Sequence, residues 1–169
     1  MAVANSRTQG GRALEQVSYC GLYCGLCAER ARIPGQAAAL RESMAREGWP
    51  QWGHSIPGFS EFWRFLKKLE TEGGCPGCRA GGGPPDCRIR SCAKERGLDY
   101  CPGCPDYPCA RIEAIGRAYP TLIADGLRLK QIGVDQWVAE QEERVRRGVV
   151  YADFRHPVDD EELREALGE

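Results

Sequence analysis

Several features that would place a chain quickly in a functional class are missing here. Lys and Arg number 23 against 24 Asp and Glu, a formal net charge of −1, so there is no basic excess of the kind that nucleic acid or an anionic membrane selects. No apolar run approaches the roughly 18 residues of a bilayer-spanning helix. Histidine is scarce, at two residues, and no H-E-x-x-H or Ser/His/Asp arrangement is legible. Gly81-Gly82-Gly83-Pro84-Pro85 is glycine-rich, but without the Lys-Ser/Thr of a P-loop it is a connector and not a phosphate cradle. Met1 to Gly11 is polar and rich in small residues, with no apolar h-region, which reads as a flexible tail and sets the expectation of a cytoplasmic protein.

What the chain has in quantity is cysteine, ten residues in 169. In an oxidising compartment ten would suggest five disulfides; in a reducing one they read as thiolate metal ligands. Three sit near the start, at Cys20, Cys24 and Cys27. Seven follow a long gap, at Cys75, Cys78, Cys87, Cys92, Cys101, Cys104 and Cys109. Cys75-Pro76-Gly77-Cys78 and Cys101-Pro102-Gly103-Cys104 are the same tetrapeptide. A C-x-x-C turn lets two sulfurs converge on one ion, about 2.3 Å from each, while proline fixes φ and glycine tolerates a left-handed turn. Each knuckle is followed by a proline-containing loop and another cysteine, Cys87 or Cys109, that opens a short basic helix. This is a degenerate repeat whose units each contribute at least three ligands.

Two partitions of the ligands follow. One joins Cys75, Cys78, Cys87 and Cys92 around one ion and completes Cys101, Cys104 and Cys109 with an N-terminal cysteine. The other unites the two knuckles as in a zinc ribbon. Paired C-x-x-C knuckles favour zinc, two or more ions. The C-x3-C-x2-C run of Cys20, Cys24 and Cys27 is the pattern for the alternative, a [4Fe-4S] cluster with one open iron. The strand–helix alternation of a radical-SAM barrel is lacking. A dithiol redox role is disfavoured too, because no strand leads into either knuckle. His54 and His156 are expected as exposed loop residues. Arg79, Arg88, Arg90, Lys94 and Arg96 are expected to offset thiolate charge, and Trp49, Trp52, Trp63 and Trp137 to pack in cores.

The fold class expected is mainly α, with irregular metal-stabilised cysteine-knuckle loops and minor β. The organisation expected is a flexible tail over 1–16 and a single cysteine-rich domain over 17–148, followed by a short strand and an acidic helical tail over 149–169. Within the domain, a helical insert spans about 36–72. In it, one helix runs Gln36 to Glu47, Trp49 to Gly58 is a loop, and Ser60 caps a second helix. Phe62, Phe65, Leu66 and Leu69 recur at i, i+3, i+4 and i+7 and are expected to face the core. Later helices are marked by Ile112, Ile115 and Tyr119, by Leu122, Ile123, Leu127 and Ile132, and by Trp137, Val138, Gln141 and Val145 with Asp135 as N-cap. Val149-Val150-Tyr151 suggests a strand. The acidic tail from Asp159, with Glu162 at capping-box spacing, has little that is apolar enough to dock.

Tyr19-Cys-Gly-Leu-Tyr-Cys-Gly-Leu-Cys27, the first CPGC, Cys87-Arg-Ile-Arg-Ser-Cys92 through Gly97, the second CPGC and Asp106-Tyr-Pro-Cys109 together resemble the DUF3795 family of cysteine-rich bacterial and archaeal proteins. The likeness spans roughly Val17 to Trp137. It implies a metal-binding fold, of a kind often described as zinc-binding, with no assigned activity. The resulting expectation is a metal-binding protein with structural zinc sites supporting an interaction surface. The partner is unspecified, of protein type, with neither nucleic acid nor membrane expected.

Overall fold

The computed structural model describes residues 12–157 and 161–168. The tail expected at Met1 to Gly11 and the Asp159/Glu162 capping box lie outside the described residues. Residues 12–15 form a helical turn, anchored where Arg79 donates to the Leu14 carbonyl at 2.7 Å.

Helices dominate: Ala28–Ala31 (α1), Ile33–Arg46 (α2), Trp49–Trp52 (α3), Phe59–Glu72 (α4), Arg88–Glu95 (α5), Ala110–Ala118 (α6), Leu122–Ile132 (α7), Val134–Arg146 (α8) and Glu161–Leu167 (α9). Among the described residues, β structure amounts to an isolated antiparallel bridge between Val17 and Tyr23. The mainly α class therefore holds. Where a strand was expected, Val150 is extended, but Tyr151–Asp153 closes into a 3-10 turn, which carries Tyr151 inward instead of along an edge.

Two apolar clusters organise the domain. The first gathers Val17, Tyr23, Leu26, Leu129, Trp137, Val138 and Tyr151, so the N-terminal cysteine segment packs on α7 and α8. The second gathers Ile89, Ile112, Ile115, Ala118, Leu122 and Leu163, with Cys20, Cys87 and Cys101 at its edge. Leu163 and Ala166 of α9 are 3% and 5% exposed. The acidic tail thus docks after all, because two small apolar contacts one turn apart suffice when a ready groove between α5 and α6 receives them.

The insert is an antiparallel hairpin. Pro34 occupies the first turn of α2, where its missing N–H costs nothing, so the helix begins earlier than Gln36. The expected loop contains α3 and a 3-10 turn at Gly53–Ser55. Gly58, at φ 80, caps α4 in place of Ser60. α2 and α4 pack on each other far more than on anything else, and Arg41 pairs with Glu70 across them. On α4 Phe59 and Leu66 are buried and Trp63 is half-buried, with Phe59 set against Trp49 of α3. Phe62 and Phe65 are 42% and 59% exposed, contrary to the expectation of a core stripe. The i, i+3 spacing is helical as expected; the hairpin has only one neighbour to face, so half of the apolar arc is left outward.

Of the tryptophans, Trp137 is fully buried. Trp49 and Trp63 sandwich Phe59 with ring centroids 5.9 and 5.6 Å away, and Trp52 is largely exposed. Leu127 and Val145 also point outward; Gly126 and Leu129 occupy the inner face of α7. Gly133, at φ 80, starts α8, with Asp135 in its first turn.

Candidate metal centres

All ten cysteines are free thiols, and they line two cavities. Cys92, Cys101, Cys104 and Cys109 line one of about 250 Å³, with Arg96, Asp106 and Tyr107 in its wall. Cys20, Cys24, Cys27, Cys75, Cys78 and Cys87 line another of about 520 Å³. Each repeat unit stays together, Cys75/Cys78/Cys87 in one cavity and Cys101/Cys104/Cys109 in the other, with Cys92 beside the second unit. The reason is helical geometry. Cys87 is the N-cap of α5 and Cys92 lies within it; five residues at about 100° each turn the two side chains roughly 140° apart, so α5 stands as a wall with one sulfur on each side. The two knuckles open into different cavities.

The identical tetrapeptides also fold differently. Gly77 takes φ 103 and precedes the 3-10 turn Cys78–Ala80; in the second, Cys101–Gly103 is itself the 3-10 turn, without a left-handed residue. The second is clamped from outside: the Cys101 amide donates to the Tyr19 carbonyl at 2.7 Å, and Pro102 is buried against Gly21.

Backbone amides point at sulfur. The Gly77 amide donates to Cys75 Sγ at 3.4 Å, and the backbone at Leu22, Glu29 and Tyr19 favours the ionised forms of Cys20, Cys27 and Cys78. Thiols accept weakly and thiolates well, so this wiring suits ionised sulfur. Opposing it, burial pushes the Cys20 thiol up to about 11, against the Ser18 hydroxyl 3.0 Å away. Burial likewise pushes Cys101 up to about 12, with Cys20, Cys109, Cys92 and Cys104 adding repulsion. Cys27 and Cys78 are raised by burial as well. These sites favour ionisation only when a cation enters with it.

The arginines divide by job. Arg90 is buried and donates to the carbonyls of Gly82, Pro84 and Pro85 at 2.6–2.8 Å, which fixes the glycine-rich connector. Arg79 ties Leu14 and Val17 carbonyls and stacks on Tyr19 at 4.7 Å. Arg96 alone among the expected cluster is seen to donate to a cysteine, to Cys104 Sγ at 3.2 Å, while pairing with Asp106 at 2.6 Å. Its place four residues after Cys92 was the available sequence signal. His54 and His156 line neither cavity. Tyr119, Tyr151 and Arg155 do line the larger one, and nothing in their spacing announces it.

The donor set fits a thiophilic metal: soft sulfurs, amide donors to them and neighbouring cations. Gly82 is part of that fit, since a Cβ there would lie 2.4 Å from Cys75 Sγ. Among the described residues no three His, Cys, Asp or Glu side chains converge closely enough to hold a metal ion.

No helix among the described residues is long and apolar enough to cross a membrane. The family described as "Protein of unknown function (DUF3795)" matches residues 16–114. That span includes every cysteine but stops short of α7 and α8, which the resemblance had been expected to include as far as Trp137. No curated protein and no solved structure matches the chain.

Proposed function

This chain belongs to the DUF3795 family, and from that premise we propose that it is a thiolate metalloprotein, its zinc sites organising the cysteine-rich body while the helical hairpin presents a surface to a protein partner. The observation that carries the reading is that ten cysteines, from three separate stretches of chain, all line two cavities. Chance burial would scatter them. Structural zinc contributes folding free energy directly, on the order of 10 kcal/mol. A 169-residue chain whose core is split into two modest clusters has use for it.

Support for the partner surface is the placement of exposed apolar side chains. Leu40, Trp52, Ile56, Phe62 and Phe65 all lie on the hairpin, and the remaining large exposed ones among the described residues are Leu127 and Val145. Apolar side chains concentrated on one projecting element are typical of recognition surfaces.

A second reading is iron–sulfur chemistry in the larger cavity. It is favoured by one observation: the whole C-x3-C-x2-C trio lines that cavity, which is twice the volume of the other. One experiment separates the two. Protein purified without oxygen is analysed for zinc, iron and acid-labile sulfide alongside its visible spectrum. Colourless protein with stoichiometric zinc supports the first reading; brown protein absorbing near about 400 nm supports the second; protein with neither metal overturns both.

A further inference from the structure

The outward side of α4 carries a pattern. At about 100° per residue, Phe62, Phe65 and Leu69 fall within roughly 60° of one another, beside the buried Phe59 and Leu66. Phe65 is 59% exposed, the most of the large exposed apolar side chains, and it stands at the middle of Phe59–Glu72. Leu40 of α2 extends the same face. Antiparallel helices meet like edge to like edge, and Arg41 with Glu70 marks one edge of the hairpin. Leu40, turned from Arg41 by about 100°, emerges at the other edge, where Phe62 and Leu69 lie.

The charges beside this stripe decide what fits it. Glu61, Lys68 and Glu72 are exposed, and they fall within roughly 40° of one another along the outer edge of the arc. Among the described residues none of the three is in an ion pair. Their signs are opposed about Phe65, with Glu61 one turn before it and Lys68 one turn after. A second α4 laid antiparallel, with a two-fold axis beside Phe65, therefore sets Glu61 of each copy against Lys68 of the other. The same axis puts Phe65 on Phe65 and Phe62 on Leu69. It also brings Glu72, the last residue of α4, to the first turn of the facing helix, whose amides favour a carboxylate. A parallel copy turns the two charged edges away from each other. The surface is complementary to itself, which is the condition for a closed, isologous pair.

We propose, resting on the reading of the hairpin as a recognition surface, that its partner is a second copy of this chain. The two copies dock α4 antiparallel on α4, so that two hairpins close into a four-helix bundle. Each α4, which packs chiefly on α2 within its own chain, gains the neighbour its outer arc lacks. The geometry also separates the bodies. Both ends of the hairpin lie at its base, where the Gly74 amide donates to the Glu29 carbonyl. Antiparallel docking therefore leaves the two cysteine-rich bodies at opposite ends of the bundle, about 20 Å apart along it, while parallel docking crowds them side by side.

The test takes the full chain, purified without oxygen, through sedimentation equilibrium across the micromolar range. A reversible monomer–dimer equilibrium is expected, its upper mass twice 18.7 kDa. The dissociation constant should be on the order of 10 µM, as suits an interface at the small end of the range. Phe65→Ser is expected to weaken association about a hundredfold, while dilute samples, which hold the monomer, melt as the parent does. Glu61→Lys alone should weaken it about tenfold, and Glu61→Lys combined with Lys68→Glu should restore it. Carbodiimide treatment of mixed ¹⁴N and ¹⁵N chains is expected to join Glu61 to Lys68 between copies; within one chain about 10 Å of helix separates them. A chain monomeric throughout overturns the proposal, whether it then binds phospholipid vesicles or not. A dimer that Phe65→Ser leaves unchanged overturns it as well, since its interface lies elsewhere. So does a dimer whose swapped charges fail to restore association. Metal content is read on the same samples: a zinc-loaded monomer leaves the zinc reading standing, and a metal-free dimer removes that reading and keeps the pairing.

Discussion

The hydroxyl of Tyr151 accepts a hydrogen bond from the amide of Tyr23 at 3.0 Å, across 128 residues of sequence. Both residues are 3% exposed, and Tyr23 immediately precedes Cys24, so a side chain from beyond the last cysteine fixes the backbone that delivers the first ones. Removing the hydroxyl leaves the amide buried without a partner. Tyr151→Phe is expected to lower stability by ~1–3 kcal/mol, read as a fall in urea midpoint with unchanged slope, while metal content stays the same. An unchanged midpoint would show that the amide finds another acceptor.

Gly82 has a steric role with a local readout. A Cβ there would lie 2.4 Å from Cys75 Sγ and 2.9 Å from the Gly77 backbone. Gly82→Ala is expected to weaken metal binding in the six-cysteine cavity by roughly tenfold or more and to leave the four-cysteine cavity unaffected. Site-resolved ¹¹³Cd signals distinguish the two; equal loss from both would argue for general unfolding.

Arg96 predicts the reverse pattern. It donates to Cys104 Sγ and holds Asp106, and both acceptors raise its own affinity for a proton. Arg96→Gln is expected to reduce affinity at the four-cysteine cavity by about 10–100-fold, the usual cost of losing a partner that orients a ligand. Chelator competition measures it. Affinity that stays at the wild-type value would reduce Arg96 to a surface ion pair.

Metal uptake should depend on pH in a definite direction. Cys20 and Cys101 stand at about 11 and about 12, so at neutral pH each carries a proton that ligation must expel. Apparent affinity is therefore expected to rise with pH, about tenfold per unit for each such thiol, over the range from about pH 6 to 8. The metal-stripped chain behaves oppositely. Thiols raised in the fold favour the folded state below their ordinary pKa near 9.0, and that contribution is lost as pH climbs through the folded values. Stability in chelator should thus fall above about pH 9. Calorimetry in buffers of differing ionisation enthalpy counts the protons released; none released would contradict the assignment.

The hairpin gives a contrast between neighbouring phenylalanines. Phe59 is 8% exposed and sits between two tryptophans, so Phe59→Ala is expected to cost about 3 kcal/mol or more. Phe65→Ser, on the exposed arc, should change stability by no more than about 0.5 kcal/mol. Thermal melts of the two variants decide it; a large loss from Phe65→Ser would restore the core stripe that the spacing suggested.

Local spacing carried much of the architecture into view. Pro and Gly bounded the helices to within a few residues, and Cys87 and Cys109 do open helices as their repeat implied. Spacing gave the period of α4 but not its direction, because which arc is covered depends on how many neighbours a helix has. It likewise found every cysteine but not which cavity each lines: Cys87 and Cys92 are close in sequence, yet they line different cavities. Tyr151 and Leu163 escaped for a related reason: their roles at the cysteine cavities are tertiary, arriving from chain far outside the motifs.

The base of the hairpin has a consequence for how this chain tolerates change. The Gly74 amide donates to the Glu29 carbonyl at 3.2 Å, so the chain leaves and re-enters the body at nearly one point. Lengthening or shortening a closed excursion of this kind costs little, since closure entropy grows only slowly with length. Cys27 and Cys75, on either side of it, would keep their places around a hairpin of another size. The surface it displays can therefore be exchanged as a cassette on one cysteine-rich body.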